Sequence, residues 1–355
     1  MTHEFKEIIY HYKLAKQQNV PAVLATVVYV DGSSYRRPGV RMLILENGKM
    51  VGAVSGGCVE KEVKRQADSV FRTGLAKVMT YDGKYRLGCE GVLYILIEKL
   101  EIKEESLLQL EELLSERKEF SITSFFKLKE QEHASFGSVI FSKEQILTTP
   151  LLLSNRFQDD QPDESIFTFE DVMKPCLKLV IGGGEHDAVE LCKIASLSGW
   201  EVDVVLPLSS PHSIQDFPGA MRLEKMDADS GDFKFLDHQT AIVLMTHNFA
   251  KDSLYLNAVS KNGSPFYIGL LGPAKRREKL LEAVIEYNPD VSEVFLEKVN
   301  GPAGINIGAE TPQEIAISIL AEILAIHRNQ NPMFLQDKKG AIHDFRNDIA
   351  VSNRI

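Results

Sequence analysis

Cysteine, tryptophan and long apolar runs are all scarce in this chain. Its 355 residues include four cysteines (Cys58, Cys89, Cys176 and Cys192) and one tryptophan. No two cysteines form a C-x-x-C pair, which excludes a disulfide framework or a zinc ribbon and fits a reducing compartment. The nine histidines include no H-E-x-x-H and no paired ligand spacing, so no dedicated metal site made of protein ligands alone is expected. No apolar stretch nears the roughly 20 residues that span a bilayer. The N-terminal MTHEFKEIIYHYKLAKQQ is broken by charge throughout, as an amphipathic helix is and a signal peptide is not. Positive charge is also short: 40 Lys and Arg against 50 Asp and Glu give a net charge of −10, which argues against nucleic acid or an anionic membrane as the partner. Internal repeats and low-complexity tracts are absent. A cytoplasmic location is the expectation.

What remains is an ordinary globular composition, 44% hydrophobic and 25% charged, long enough for two domains at roughly 100–200 residues each. Residues 1–172 read as an N-terminal α/β domain. A helix is followed by the near-continuous apolar strand PAVLATVVYVDG, then by two strands joined at Glu46-Asn47-Gly48, since Asn-Gly is a strong hairpin signal. CVEKEVKRQADSVFRTG reads as a helix stopped by Gly74, and AKVMTYDG and GVLYILIEKL as further strands. From about 99 the pattern is less regular: one clear helix in EESLLQLEELLSERK, one strand in HASFGSVIFSKE, and a polar linker or late strand up to 172. Residues 173–330 alternate strand and helix, which implies βαβ units in a doubly wound parallel sheet. The last helix carries a capping box, with Thr311 at the N-cap, Pro312 at the first helical position and Glu314 three residues after the cap. Residues 331–355 read as a polar tail.

Several segments carry chemistry. In Gly32-Ser33-Ser34-Tyr35-Arg36-Arg37-Pro38-Gly39-Val40-Arg41, glycines and hydroxyls surround three arginines of an acidic chain. Arg36, Arg37 and Arg41 suit a phosphate or carboxylate; alternatively they pair with local acids. Ser55-Gly56-Gly57-Cys58-Val59-Glu60 is a strand-to-helix turn, and the helix start favours an anion and a reactive thiolate at Cys58. The bland alternative is a small buried cysteine. Gly88-Cys89-Glu90-Gly91 sets a second cysteine between glycines, and Cys58 and Cys89 are expected to share one face.

In the second half, Gly182-Gly183-Gly184-Glu185-His186-Asp187 follows the strand Leu179–Ile181 and precedes a helix, the context of a dinucleotide fingerprint. Asp187 stands where a glycine lets helix and strand pack, and Leu206 stands where an acid would hold a ribose. A Rossmann-like sheet is therefore expected without tight NAD(P) binding. Gly272, Lys275, Arg276 and Arg277 place cations in the first turn of a helix, where they oppose its dipole; either an anion compensates or the side chains reach into solvent. His247, after the strand AIVLM, and the glycine-rich loop from Gly301 through Gly308 and Glu310 to Thr311 lie where doubly wound sheets bind ligands.

Together these segments resemble the xanthine dehydrogenase accessory factor family (XdhC/CoxI), over nearly the whole chain. GSSYRRPGVRMLI, GAVSGGCVE and GCEG are similar to motifs of its N-terminal domain, and MTHN, GLLGPAKRREKLL and GINIGAETPQEIAISILAEILA to motifs of its Rossmann-type C-terminal domain. The chain departs from the family's G-x-G-H-x-G turn at Glu185 and Asp187, and from its acidic residue at Leu206. The resemblance implies a protein that binds the molybdenum cofactor (molybdopterin), protects it while a cysteine desulfurase supplies its terminal sulfur, and delivers it to an apo molybdenum hydroxylase such as xanthine dehydrogenase. The residues it points to are Ser33, Ser34, Arg36, Arg37, Arg41, Gly56, Gly57, Cys58, Glu60 and Cys89 in the first domain. In the second they are Gly182, Gly184, His247, Gly272, Lys275, Arg276, Gly308, Glu310 and Thr311. None is assigned a catalytic role, and a homo-oligomer is left open. The rival readings are an NAD(P)-dependent oxidoreductase, which the sheet permits and Asp187 and Leu206 oppose, and a small-molecule sensor. The chain lacks the iron–sulfur cysteines of a molybdenum hydroxylase.

Overall fold

A computed structural model describes residues 2–32, 37–82, 91–142, 145–148, 166–227, 231–339 and 349–351. The chain divides into two compact units, Met1–Pro175 together with Lys339–Ile355, and Cys176–Lys338.

The first unit runs α1 (Thr2–Gln17), β1 (Ala22–Asp31), β2 (Arg41–Leu45), β3 (Met50–Gly52), α2 (Cys58–Thr73), β4 (Lys77–Asp82), β5 (Val92–Lys99), α3 (Glu104–Ser115), β6 (Phe120–Phe126), β7 (Gln131–Glu132), β8 (Gly137–Ser142), β9 (Gln145–Thr148) and β10 (Phe167–Met173). A six-stranded sheet has the order β3-β2-β1-β5-β4-β7. The apolar run of β1 reflects burial on both faces. Val23, Ala25 and Val27 pack with Val59, Val63, Ala67 and Val70 of α2, while Ala22 and Leu24 pack with α1, α3 and the inner residues of β6. The Asn47-Gly48 hairpin forms as expected, with Gly48 at φ 89°, and α2 ends where Gly74 takes φ 70°.

Two expectations for this half are corrected. Within the segment from about 99 to 172, described residues of β6, β8, β9 and β10 form a second antiparallel sheet. The polar tail is not merely a tail, because its residues Ile349–Val351 pair with Phe167–Phe169 at the edge of that sheet. These pairings join residues far apart in sequence, and no local pattern announces them.

The second unit runs β11 (Lys178–Gly182), α4 (His186–Leu197), β12 (Glu201–Leu206), β13 (Arg222–Lys225), β14 (Thr240–Leu244), α5 (Phe249–Asn262), β15 (Tyr267–Leu270), α6 (Ala274–Tyr287), α7 (Glu293–Glu297), β16 (Val299–Asn300) and α8 (Pro312–His327); the tail strand is β17. Its sheet is parallel throughout, in the order β13-β12-β11-β14-β15-β16. This is the doubly wound α/β architecture that the alternation of strands and helices implies. One face of the sheet packs on α4 and α8, the other on α5 and α6. Strand order reverses between β11 and β14, which opens the usual ligand crevice at their C-terminal ends.

Candidate cofactor site

Strand register brings three of the singled-out segments to one end of the six-stranded sheet. Asp31, the last residue of β1, is paired with Val92, and Val92 with Asp82 at the end of β4. Arg41, which opens β2, pairs with Thr26 toward that same end of β1, and Met42 pairs with Gly52, the last residue of β3. The segment after β1, the turn into α2 and the β4–β5 connection therefore all leave from this end. Ser33, Ser34, Arg36 and Cys89 lie outside the described residues, as does the side chain of Cys58, and so does the expected meeting of the two cysteines.

The turn into α2 is described. Gly57 has φ 116°, and among the described residues no atom comes within 4 Å of a Cβ added at Gly56 or Gly57. Cys58 opens the 16-residue helix α2, where first-turn N–H groups lack intrahelical acceptors. Glu60, expected to face a ligand, instead folds back: its carboxylate accepts from the N–H groups of Ser55 and Gly57, each at 2.6 Å. It shapes the turn by doing what a bound anion would do.

Of the described arginines in this segment, Arg37 is exposed. Arg41 is the clearest correction. It points to the same face of β2 as Leu43 and Leu45, is 5% exposed, and donates from Nη1 to Asp171 Oδ2 at 2.6 Å and to the Gly39 carbonyl at 2.9 Å. Its charge serves the interior rather than an incoming anion.

In the second unit the glycines after β11 are hemmed in by the chain's own atoms. A Cβ would lie 2.8 Å from Leu244 at Gly182, 2.5 Å from the Met245 carbonyl oxygen at Gly183, and 3.0 Å from Leu206 at Gly184, where His212 also closes in at 3.1 Å. Asp187, in the first turn of α4, receives the His247 imidazole, Nε2 to Oδ2 at 3.3 Å. His247 is thus joined to the glycine turn rather than standing apart from it. Its neighbour Thr246 donates from Oγ1 to Asp252 Oδ1 at 2.7 Å, and Arg276 donates from Nη2 to Asp252 Oδ2 at 2.7 Å.

Asp252 is 1% exposed, so Arg276 is committed to a buried acid, and Gly272 takes φ 102°, a conformation that favours glycine. Arg277 donates to the Val299 carbonyl at 2.8 Å. The expected three-cation cluster therefore reduces to Lys275, which is exposed. The Thr311 hydroxyl accepts from Glu314 N at 3.3 Å, and Glu314 accepts from the N–H groups of Glu310 and Thr311. Thr311 and the Glu310 backbone are thus a helix cap, as the capping box indicates. Gly308, at φ 71°, has open space around it.

Two groups escaped the sequence reading. Asp252 organises both the Thr246–His247 turn and Arg276; its signal was an acid four residues after the N-cap Asn248, on a helix face otherwise apolar. Glu98 is an acid at an inward register of the apolar strand LYILIEK. Of the other cysteines, Cys176 is buried, and burial pushes the Cys192 thiol up to about 11, which makes it unreactive. No group of three or more His, Cys, Asp or Glu among the described residues could hold a metal ion. No helix among them is long and apolar enough to cross a membrane.

Comparison with known proteins gives a consistent picture. A model of the XdhC and CoxI family matches residues 15–82, and a model of the XdhC Rossmann domain matches residues 179–323, together more than half of the chain. A Bacillus subtilis (strain 168) protein, named as a probable xanthine dehydrogenase subunit, is 29% identical over 324 residues, covering 85% of this chain and 92% of that one. An Escherichia coli (strain K12) protein named molybdenum cofactor insertion chaperone PaoD is 24% identical over 314 residues, covering 87% and 84%. A crystal structure from Bacillus halodurans, named a xanthine dehydrogenase, superposes with a TM-score of 0.70 at 25% identity, covering 91% of this chain and 96% of that one. The two family models, on the two units described above, place this chain in the XdhC and CoxI family.

Proposed function

We propose that this protein binds the molybdenum cofactor, shelters it while its terminal sulfur ligand is installed, and passes it to an apo molybdenum hydroxylase of the xanthine dehydrogenase type. A cysteine desulfurase is the expected sulfur source. The observation that carries this reading is that the strand ends flanking the 32–40 segment, the Gly56-Gly57-Cys58 turn and the 83–91 connection lie at one end of a sheet. The open space at Gly56 and Gly57 and the adjoining helix start fit an anionic group approaching the backbone. When bound, the group supplies a metal centre coordinated by sulfur.

The chain's own contribution is binding. Arg37 and the arginine-rich segment offer charge to a phosphate. The first-turn N–H groups of α2 offer donors that Glu60 does not take, and a cysteine at the first position of a helix, as Cys58 is in the sequence, suits a soft centre. A carrier needs no acid–base pair, and none of the residues named here is assigned a catalytic step. The names of the relatives point the same way, one to cofactor insertion and the other to a xanthine dehydrogenase assembly.

The test is the small-molecule content of protein purified natively from cells that make the cofactor. Molybdenum together with an oxidisable pterin, both reduced in the Cys58→Ser variant at unchanged melting temperature, is the expected result. Protein that carries neither, from cells whose hydroxylase is active, overturns the reading.

A further inference from the structure

Charge is unevenly spread along this chain. Residues 32–91 hold eleven Lys and Arg against six Asp and Glu, a net charge of +5, while the other 295 residues carry −15. A phosphate bound at the loop end would account for the cations beside it, but not for those that continue along α2. That helix buries Val59, Val63, Ala67 and Val70 against the sheet. Its opposite face presents Lys61, Lys64, Arg65, Asp68 and Arg72, all exposed. From Lys61 to Arg72 this row runs about 16 Å at 1.5 Å per residue, and Asp68 is the one acid in it.

Local stability does not explain the row. Lys61 lies in the first turn, where a cation opposes the helix dipole. Lys61 and Arg65 are like charges four residues apart, a spacing that costs helix stability. Nor do neighbouring acids absorb the charge. Arg65 is paired with Glu62, Nε to Oε2 at 3.0 Å. Lys64 Nζ, however, reaches a carbonyl rather than an acid, that of Gly48 at 3.4 Å, and Arg72 Nε donates to the Asp68 carbonyl of its own helix. Lys61 has no partner among the described residues. Arg72 lies about 21 Å along the helix from Cys58, more than two screening lengths of about 8 Å at physiological salt. The far end of the row therefore faces something larger than a small molecule held at the helix start.

We propose that this face of α2 is a docking surface, and that its occupant is an acidic surface of the apo hydroxylase that takes the cofactor. Docking there sets the recipient beside the Gly56-Gly57-Cys58 turn. The inference rests on the function proposed above. A protein's acidic patch can meet the row alone, whereas a long polyanion such as nucleic acid also meets the repulsion of the −15 carried elsewhere.

The experiment follows, by surface plasmon resonance, the association of the full chain with the hydroxylase of the same organism, purified from cells that cannot make the cofactor. The association rate constant is expected to fall about tenfold or more as salt is raised from about 50 to about 300 mM. At the lower salt it falls about tenfold or more in the Lys61→Glu, Lys64→Glu, Arg72→Glu triple variant, with the dissociation rate changed far less, as for steering charges at an interface rim. Exposed charges of this kind alter stability little, and the salt arm gives its answer on the unaltered protein. No complex, a salt-insensitive complex or an unimpaired variant overturns the docking surface, as does tighter binding of a DNA duplex than of the hydroxylase. Molybdenum and pterin content, measured on the same samples, reports separately on the carrier reading: protein that carries both and fails to dock sinks this proposal alone.

Discussion

His247 Nε2 lies 3.3 Å from Asp187 Oδ2, so the turns that follow β11 and β14 are bridged at the point where the parallel sheet reverses its strand order. A dinucleotide entering this crevice would bring its pyrophosphate against a carboxylate at the start of α4, in a place where Leu206 and His212 already crowd Gly184.

From this follows weak or absent NAD(P) binding. Calorimetry with NAD+, NADH and NADPH is expected to show no micromolar affinity for any of them. Micromolar binding that disappears on replacing Gly184 would restore the oxidoreductase reading.

The two described arginines of the 32–41 segment are expected to separate cleanly. Arg41→Ala leaves Asp171 buried without its partner, and breaking a buried pair costs about 3–5 kcal/mol, read as a shifted denaturant midpoint. Arg37→Ala changes stability by no more than about 0.5 kcal/mol and lowers cofactor retention by an amount that shrinks as salt is raised. Equal stability of the two variants contradicts this assignment.

Glu98 ties stability to pH. Burial, the largest influence, holds its carboxyl above the ordinary range, while the Ser138 hydrogen bonds and the charge of Arg41 pull it down without cancelling the rise. The folded protein therefore binds more protons than the unfolded chain between the unfolded value of about 4.3 and the raised folded one. The Glu98 contribution to stability is then largest at low pH and falls as pH climbs through that window. Arg41 and Asp171, together with Lys99 and Glu101 just after Glu98 in the chain, are present in both wild type and Glu98→Gln. The difference between their denaturant midpoints from pH 4 to 8 isolates the one group. Wild type should lose ground to the variant as pH rises, and a gain would refute the assignment.

Removing the cap of α8 by Thr311→Ala should cost about 1 kcal/mol, visible as a lower melting temperature. Since the hydroxyl accepts from Glu314 N, ligand affinity at the loop end of the first unit should be untouched. A variant with unchanged stability would mean that the Thr311 hydroxyl is not the cap.

Features governed by neighbours in sequence were legible. The Asn47-Gly48 hairpin, the Gly74 stop and the Thr311-Pro312-Glu314 cap are each written within a few residues, and the strand–helix alternation after 173 announces the doubly wound sheet. The antiparallel sheet of β6, β8, β9, β10 and β17 was not legible, because its pairings run from Phe167 to Phe126 and from Phe167 to Val351. Arg41 was misread for a different reason. Its residue type suggested an anion, whereas its register with Leu43 and Leu45 places it inside. Arg276 was misread likewise, its buried partner Asp252 lying 24 positions away.

The connection from Gly301 to Thr311 is fastened at both ends. Ala303 N–H donates to the Leu270 carbonyl, Gly304 N–H to Glu322, and Ile305 exchanges bonds with Ser318, while the Glu310 N–H is held by Glu314. Only Asn306 to Ala309 lies between these anchors. Immobilising a residue's backbone costs about 1–2 kcal/mol in conformational entropy, so a molecule that settles against this edge has four residues to order rather than eleven. The greater part of that entropic cost is met when the chain folds, before any encounter takes place.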